Sequence, residues 1–169
     1  MKSILSVFFI FLLSACSHYQ STSNSAATSS QYANDVFTRT GPISAEELVT
    51  RYKKFAQSYQ QFTPEKQDTF NMTKLKGMDF IVFFGLWCHD SQREVSRLIK
   101  LLENSGHDLK HLKLVAIDTQ KTMPTEYASR FDVKFTPTIF VLKDGQTLAK
   151  VIEKPKQSLA KDIASQIFH

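Results

Sequence analysis

Cysteine is scarce in this chain of 169 residues: only Cys16 and Cys88 occur, and no C-x-x-C pair exists. The five glycines form no Gly-rich phosphate loop, and neither a Ser/His/Asp nucleophile motif nor an internal repeat is present. Basic residues are dispersed, without a run interleaved with aromatics, so we predict no nucleic-acid partner despite the net charge of +5. The two cysteines therefore become the main candidates for chemistry.

Residues 1–15 resemble the signal peptide of bacterial lipoproteins. Lys2 supplies the positive end, residues 4–13 are apolar but too few to span a bilayer, and Leu13-Ser14-Ala15-Cys16 resembles the lipobox. The resemblance implies cleavage before Cys16 and acylation of this cysteine, with more than one acyl chain giving stable anchoring. The alternative is an ordinary secretory signal with an incidental cysteine.

The predicted anchor defines a location and an organisation for the rest of the chain. Ser17, rather than aspartate, follows Cys16, so in a bacterial envelope with two membranes we predict the outer membrane, facing the periplasm. Residues 16–40 contain many Ser, Thr, Asn and Gln residues, which is typical of a flexible tether. Residues 41–169 are enough for one domain with its own core. Once Cys16 carries lipid, Cys88 is the one thiol left.

The hydrophobic pattern of residues 41–169 alternates between helix and strand. A helix with Ser44 as N-cap and Glu47 closing a capping box is predicted over 44–61. The segment 63–77 is ambiguous, with a short edge strand favoured near 69–72. The remaining predictions are strands over 80–84, 112–117, 138–142 and 146–152, and helices over 92–104, 124–131 and 158–168. This order predicts an α/β domain with a central mixed β-sheet, helices on both faces and an extra N-terminal helix.

Cys88 lies where the apolar strand 80–84 gives way to the helix predicted from Gln92. The first turn of a helix has unpaired N–H groups and a positive dipole end, which favour a thiolate. A small buried thiol is the alternative, since free cysteine is among the most buried residue types. We favour an exposed, reactive thiol, because ligand sites in α/β sheets lie at the carboxyl ends of strands.

The neighbours of Cys88 leave several roles open. A protonated His89 favours the thiolate and Asp90 opposes it, but Asp90 is also suited to capping the helix. Ser91 can donate a hydrogen bond to the thiolate. Cys88, His89 and Asp90 are also ligand types for copper or zinc, but adjacent residues at a helix start rarely converge on one ion. We predict neither a metal nor a cofactor.

The order of motifs over residues 80–168 resembles the thioredoxin family. The resemblance is carried by Trp87-Cys88 after a strand, Val115-Ala116-Ile117-Asp118 as the next strand, the stretch 131–138 leading into Thr136-Pro137, and the Asp144-Gly145 hairpin. It implies a thioredoxin-like fold with Cys88 as the nucleophile. It further implies that Trp87 shapes the client surface and that Thr136, before a cis Pro137, binds an extended substrate opposite the cysteine.

Four positions depart from the family pattern. Ser91 stands in place of the resolving cysteine, Val82 in place of a buried aspartate, Leu114 in place of its lysine partner and Ile152 in place of a glycine. These changes exclude the ordinary dithiol cycle. We therefore predict an enzyme-like envelope lipoprotein that exchanges disulfides through mixed disulfides, which an external thiol resolves. Its partners are proteins with thiols or disulfides, or a low-molecular-weight thiol. The alternative is a non-catalytic module that binds peptide or a partner protein.

Overall fold

A five-stranded mixed sheet forms the centre of the computed structural model, which describes residues 35–128 and 130–168. The strands are β1 (Gly41–Ile43), β2 (Asp79–Phe84), β3 (Leu112–Ala116), β4 (Thr138–Lys143) and β5 (Gln146–Ile152), in the order β1-β3-β2-β4-β5. β2 and β3 are parallel, and the other pairs are antiparallel. The predicted mixed sheet is confirmed. β1 is an addition that the sequence did not reveal, since a three-residue strand containing Pro42 is too short to give a period-2 pattern.

Besides a helical turn at residues 35–38, the described part of the chain has six α-helices: α1 (Ala45–Arg51), α2 (Lys53–Gln61), α3 (Lys66–Thr73), α4 (His89–Asn104), α5 (Thr125–Ala128) and α6 (Leu159–Ile167). A short 3₁₀ helix covers Leu109–His111. The helices α1, α2 and α3 all precede β2, which agrees with the predicted helical extension at the N-terminal side of the domain. The crossover from β2 to β3 runs through α4, as the alternating pattern predicted.

Two predictions before β2 were wrong in detail. The single helix over 44–61 is divided, because Tyr52 has extended backbone angles between α1 and α2. Its start was right: the Ser44 hydroxyl accepts from the backbone N–H of Glu47 at 3.0 Å, but the Glu47 carboxylate pairs with arginines. The edge strand expected near 69–72 is instead part of α3. There Asp68 and Met72, one helical turn apart, are buried, so tertiary packing decides the structure.

Alternating side chains of β2 supply two separate cores, one on each face of the sheet. Phe80, Val82 and Phe84 face a large core with α1 to α4 and α6. Ile81 and Phe83 face a smaller aromatic cluster that includes Phe131 and Phe140, with Tyr127 of α5 packed against it. Both faces are thus covered, and β2 is a fully central strand whose carboxyl end carries the Cys88 segment.

The turns at the ends of these elements follow the expected chemistry. Asp144 and Gly145 have φ values of 50° and 78°, the left-handed pair of a two-residue hairpin between β4 and β5. Gly106, with φ of 71°, ends α4, and the N–H of His107 closes back onto the Leu102 carbonyl at 2.9 Å.

The folded region begins before residue 41. Residues 35–38 are helical, Asp35 accepts a hydrogen bond from the Tyr52 hydroxyl at 3.0 Å, and Arg39 lies 3.3 Å from Glu47. The end of the segment predicted as a tether therefore contacts the domain. The signal 1–15, Cys16 and the tether up to residue 34 lie outside the described residues. Within the described ranges, no helix is both long and apolar enough to cross a membrane.

Candidate active site around Cys88

Cys88 is the N-cap residue of the 16-residue helix α4. The turn Gly85-Leu86-Trp87 joins β2 to α4, and the Cys88 N–H donates to the Gly85 carbonyl at 3.1 Å. The Cys88 carbonyl accepts from the N–H of Gln92 at 3.0 Å and so forms the first hydrogen bond of the helix. The helix begins three residues earlier than predicted. The sulfur therefore sits at the positive end of a long, well-packed helix.

The sulfur of Cys88 contacts the loop before β4. Its thiol donates to the backbone carbonyl of Thr136 at 3.1 Å, and the Thr136-Pro137 peptide bond is cis, as predicted. Cys88 is half-buried, so it is neither the fully exposed thiol nor the inert core residue considered from the sequence. A carbonyl can only accept, so the thiol hydrogen of Cys88 is directed at the Thr136 backbone.

Trp87 covers the turn that precedes Cys88. Its indole lies against Gly85, where an added Cβ would come within 2.6 Å of Cε2. Among the described residues, the buried indole Nε1 has no hydrogen-bond partner. Glycine at position 85 is therefore needed for this close approach. The signal for this, a glycine two residues before the tryptophan, is visible in the sequence but is not specific.

Ser91 is fully buried one helical turn after Cys88. Its Oγ accepts from the backbone N–H of Gly85 at 3.3 Å, so the hydroxyl ties the turn to the helix. Gln92, which the sequence analysis did not identify, has a matching role: its Nε2 donates to the Leu86 carbonyl at 3.0 Å. Both side chains fix the backbone that presents Cys88. The role predicted for Ser91, donation to the thiolate, stays a prediction.

His89 and Asp90 have different surroundings. His89 is exposed, and the Asp90 carboxylate lies 2.8 Å from Arg93. Cys88, not Asp90, is the N-cap, so the capping role considered for Asp90 was wrong. Arg93 also contacts Glu94 at 2.5 Å, and Arg97 contacts the same Glu94 oxygen at 3.2 Å. Within the described chain, no group of three or more His, Cys, Asp or Glu side chains is arranged to hold a metal ion.

Comparison with known proteins agrees with this geometry. The thioredoxin family model matches residues 62–165, which is more than half of the chain. The chain belongs to the thioredoxin family. Cys88, Thr136 and Pro137 lie together at one end of this thioredoxin-like sheet.

The individual relatives match only part of this chain. Over 85 residues the chain is 31% identical to thioredoxin H9 of Arabidopsis thaliana, covering 50% of this chain and 56% of that protein. The chain thus spans about half the length of this curated relative. A Pseudomonas aeruginosa protein of unknown function shares the fold with a TM-score of 0.53 and 13% identity, covering 75% and 92% of the two chains. Mitochondrial thioredoxin 3 of Saccharomyces cerevisiae is 24% identical over 56% of this chain and 86% of its own, with a TM-score of 0.31.

Three of the four departures from the thioredoxin pattern are apolar side chains. Val82 and Leu114 are register partners in β2 and β3, and both are buried. Ile152 pairs with Thr138 and is 43% exposed, while Phe135, just before the Thr136-Pro137 bond, is 49% exposed. The site therefore has an apolar rim beside the cis-proline, and the strand that leads into the active-site turn carries an apolar buried residue at position 82.

Proposed function

We propose that this chain is a single-thiol exchange protein in which Cys88 attacks disulfides. One observation carries the proposal: Cys88 is held at the start of α4, with its sulfur 3.1 Å from the Thr136 carbonyl. That carbonyl precedes the cis-proline, at the place where the family resemblance implies an extended substrate. An incoming chain that takes over the Thr136 backbone removes the contact that stabilises the thiol, and the helix start then favours the thiolate.

The proposed exchange has two balanced steps. The Cys88 thiolate attacks one sulfur of a disulfide R–S–S–R′; a Cys88–S–S–R bond forms, and R′ leaves as a thiolate that takes a proton from solvent. An external thiolate R″–S⁻ then attacks the sulfur of R, giving R–S–S–R″ and restoring Cys88. Ser91 cannot perform this second step, because a hydroxyl is a poor nucleophile towards sulfur at neutral pH. The resolving thiol must therefore come from a client or a low-molecular-weight compound.

The test is the rate at which Cys88 forms a mixed disulfide with bis(2-hydroxyethyl) disulfide at neutral pH. Peptide mapping by mass spectrometry distinguishes Cys88 from Cys16 in the full chain. We expect Cys88 to react faster than N-acetylcysteine under the same conditions, and Cys88→Ser to abolish capture and exchange. Failure of folded protein to react, with Cys88 reacting only after denaturation, would contradict the proposal.

A binding module without catalysis is the second candidate. It is favoured by the apolar rim of Phe135 and Ile152 beside the cis-proline, and by the absence of the family's buried charged pair at Val82 and Leu114. The Cys88→Ser variant separates the two functions. If it retains all cellular function and all client binding, the binding module is correct; if it loses function while keeping its fold, exchange is correct.

We also propose that the chain is a lipoprotein of the bacterial cell envelope, anchored through Cys16 and placed on the outer membrane where two membranes exist. The support is the order of the N-terminal sequence: a positive end, a short apolar run and Leu-Ser-Ala-Cys. Metabolic labelling with a radioactive fatty acid tests it. The wild type should be labelled and sediment with membranes, and Cys16→Ala should be neither labelled nor membrane-bound. Equal labelling of both chains would refute the anchor at this position.

A further inference from the structure

A polar groove of about 370 Å³ runs between α2 and α4 and reaches the active-site end of α4. α2 contributes Lys54 and three neutral polar side chains, and the segment after it contributes Phe62 and Thr63. The wall formed by α4 consists of His89, Gln92, Arg93 and Arg97. These four positions follow the three- and four-residue spacing that places side chains on one helix face. The groove thus begins one residue from Cys88.

The groove is basic, and its cations are held in place. Arg93 and Arg97 both contact Glu94, which is 1% exposed, and Arg93 also contacts Asp90. Each guanidinium has five N–H donors, so these contacts leave donors available to a ligand. With Lys54 counted and His89 neutral, the positive charges exceed the two carboxylates by one. Among the residues that the structure describes, no carboxylate side chain lines the groove itself.

The groove and the sulfur share a structural element. Gln92 lines the groove, its N–H donates to the Cys88 carbonyl at 3.0 Å, and its Nε2 donates to the Leu86 carbonyl at 3.0 Å. His89, the first residue of α4, also lines the groove, so the groove reaches the residue next to Cys88. We propose that the groove binds the carboxylate groups of a small anionic thiol or disulfide, whose sulfur exchanges with Cys88. This inference rests on the proposed exchange function.

Size and charge favour a small ligand over an acidic protein segment. A volume of about 370 Å³ lies in the range of roughly 300–1,000 Å³ that small-molecule sites occupy. An excess of a single positive charge suits one or two carboxylates rather than a run of them. The amide and hydroxyl side chains of Gln57, Gln61 and Ser58 add neutral donors and acceptors, as the peptide bonds of a short thiol peptide require.

The chain offers a matched pair of variants to test this. Lys53 and Lys54 are adjacent, both exposed and both in the first turn of α2, but only Lys54 lines the groove. Lys54→Glu and Lys53→Glu therefore change the net charge and the helix-end electrostatics equally. The measurement is the rate of mixed-disulfide formation at Cys88 in the full chain, with glutathione disulfide as the anionic probe and bis(2-hydroxyethyl) disulfide as the neutral one.

We expect Lys54→Glu to slow the reaction with glutathione disulfide by roughly three- to tenfold at low ionic strength, an effect that added salt diminishes. The reaction with the neutral probe should change less than about twofold, as should both reactions of Lys53→Glu, because an exposed charge away from the ligand is largely screened. Equal effects of the two variants, or an equal slowing with the neutral probe, would overturn the proposal.

Two further outcomes separate this inference from the function on which it rests. If no probe forms a mixed disulfide with Cys88, the exchange function itself is wrong. If both probes react but Lys54→Glu does not discriminate between them, exchange stands and the groove proposal fails. A disulfide-bearing peptide rich in Asp and Glu provides the last arm: discrimination with this peptide and not with glutathione disulfide would assign the groove to a protein client and overturn the small-ligand proposal.

Discussion

Replacing Ser91 by cysteine should convert the single-thiol site into one that resolves its own mixed disulfides. Ser91 lies three residues after Cys88 in the first turn of α4. Side chains at this spacing have Cβ atoms about 5–6 Å apart, and a disulfide needs roughly 3.5–4.5 Å, so a small adjustment at the helix start is sufficient. The substitution removes the serine hydroxyl oxygen that accepts from the Gly85 N–H at 3.3 Å. Because sulfur is a weak acceptor, we expect a loss of about 1 kcal/mol in the free energy of unfolding.

The kinetic effect should exceed the effect on stability. Even a loosely tethered group acts at an effective concentration in the millimolar range, so with external thiol at about 0.1 mM, Ser91→Cys should release a captured disulfide at least about tenfold faster than the wild type. The wild-type rate should rise in proportion to the external thiol, whereas that of Ser91→Cys should not. The assay follows loss of the Cys88 adduct by mass spectrometry after rapid removal of excess disulfide.

Ser91→Ala is the matched control, since it removes the same acceptor oxygen and adds no sulfur. It should show the loss of stability without faster release. The reasoning fails if Ser91→Cys retains its adduct as long as Ser91→Ala does at low external thiol. It also fails if the wild-type adduct disappears at the same rate without any external thiol, because another group would then be resolving it.

Two more predictions concern the supports of the site and of the fold. Gly85→Ala would place a Cβ within 2.6 Å of the Trp87 indole, so the ring must move. We expect the fluorescence emission of this sole tryptophan to shift to the red and the free energy of unfolding, measured with denaturant, to fall by about 1–3 kcal/mol. An unchanged emission spectrum would contradict this packing. Burial lowers the pKa of His107 below 6.5 despite its contact with Leu75, with Lys76 and His111 adding to the effect. The unfolded state then binds the extra proton, so stability should fall as pH drops below about 6.5, and His107→Gln should weaken this dependence in unfolding curves measured between about pH 5 and 7.

Much of the fold could be predicted from the sequence because its strongest signals are local and periodic. The apolar run before Cys88, the Asp144-Gly145 turn and the Ser44 cap each specify an element through backbone chemistry alone. The failures lie where packing decides between weak alternatives. α3 has little amphipathic pattern of its own and is held against α4 and α6, with Asp68 accepting from the Ser158 hydroxyl at 2.7 Å. β1 exists because β3 offers it an open edge.

The candidate site shows the same division. The motif order of a known family predicts one site that contains Trp87, Cys88, Thr136 and Pro137, although Cys88 and Thr136 are 48 positions apart in the sequence. The groove was not foreseen, because it depends on how α2 lies against α4, which no periodicity reveals. The helical spacing of the groove residues on α4 was visible, yet such polar positions more commonly form a solvated face.

Two departures from the thioredoxin pattern, at positions 82 and 114, are consistent with a third, the serine at position 91. Position 91 is fully buried, and a thiol buried among apolar groups resists ionisation, so a resolving cysteine there is assisted by a nearby base without depending on one. The family resemblance assigns that role to the residue at position 82, paired with the one at 114. With Ser91 in place there is no buried sulfur to deprotonate, and a buried carboxylate at 82 would only carry the cost of desolvation. Val82 and Leu114 then pack against each other as ordinary neighbours in adjacent strands. The apolar pair at positions 82 and 114 thus accords with a site that has a single sulfur, as the proposed exchange with an external thiol requires.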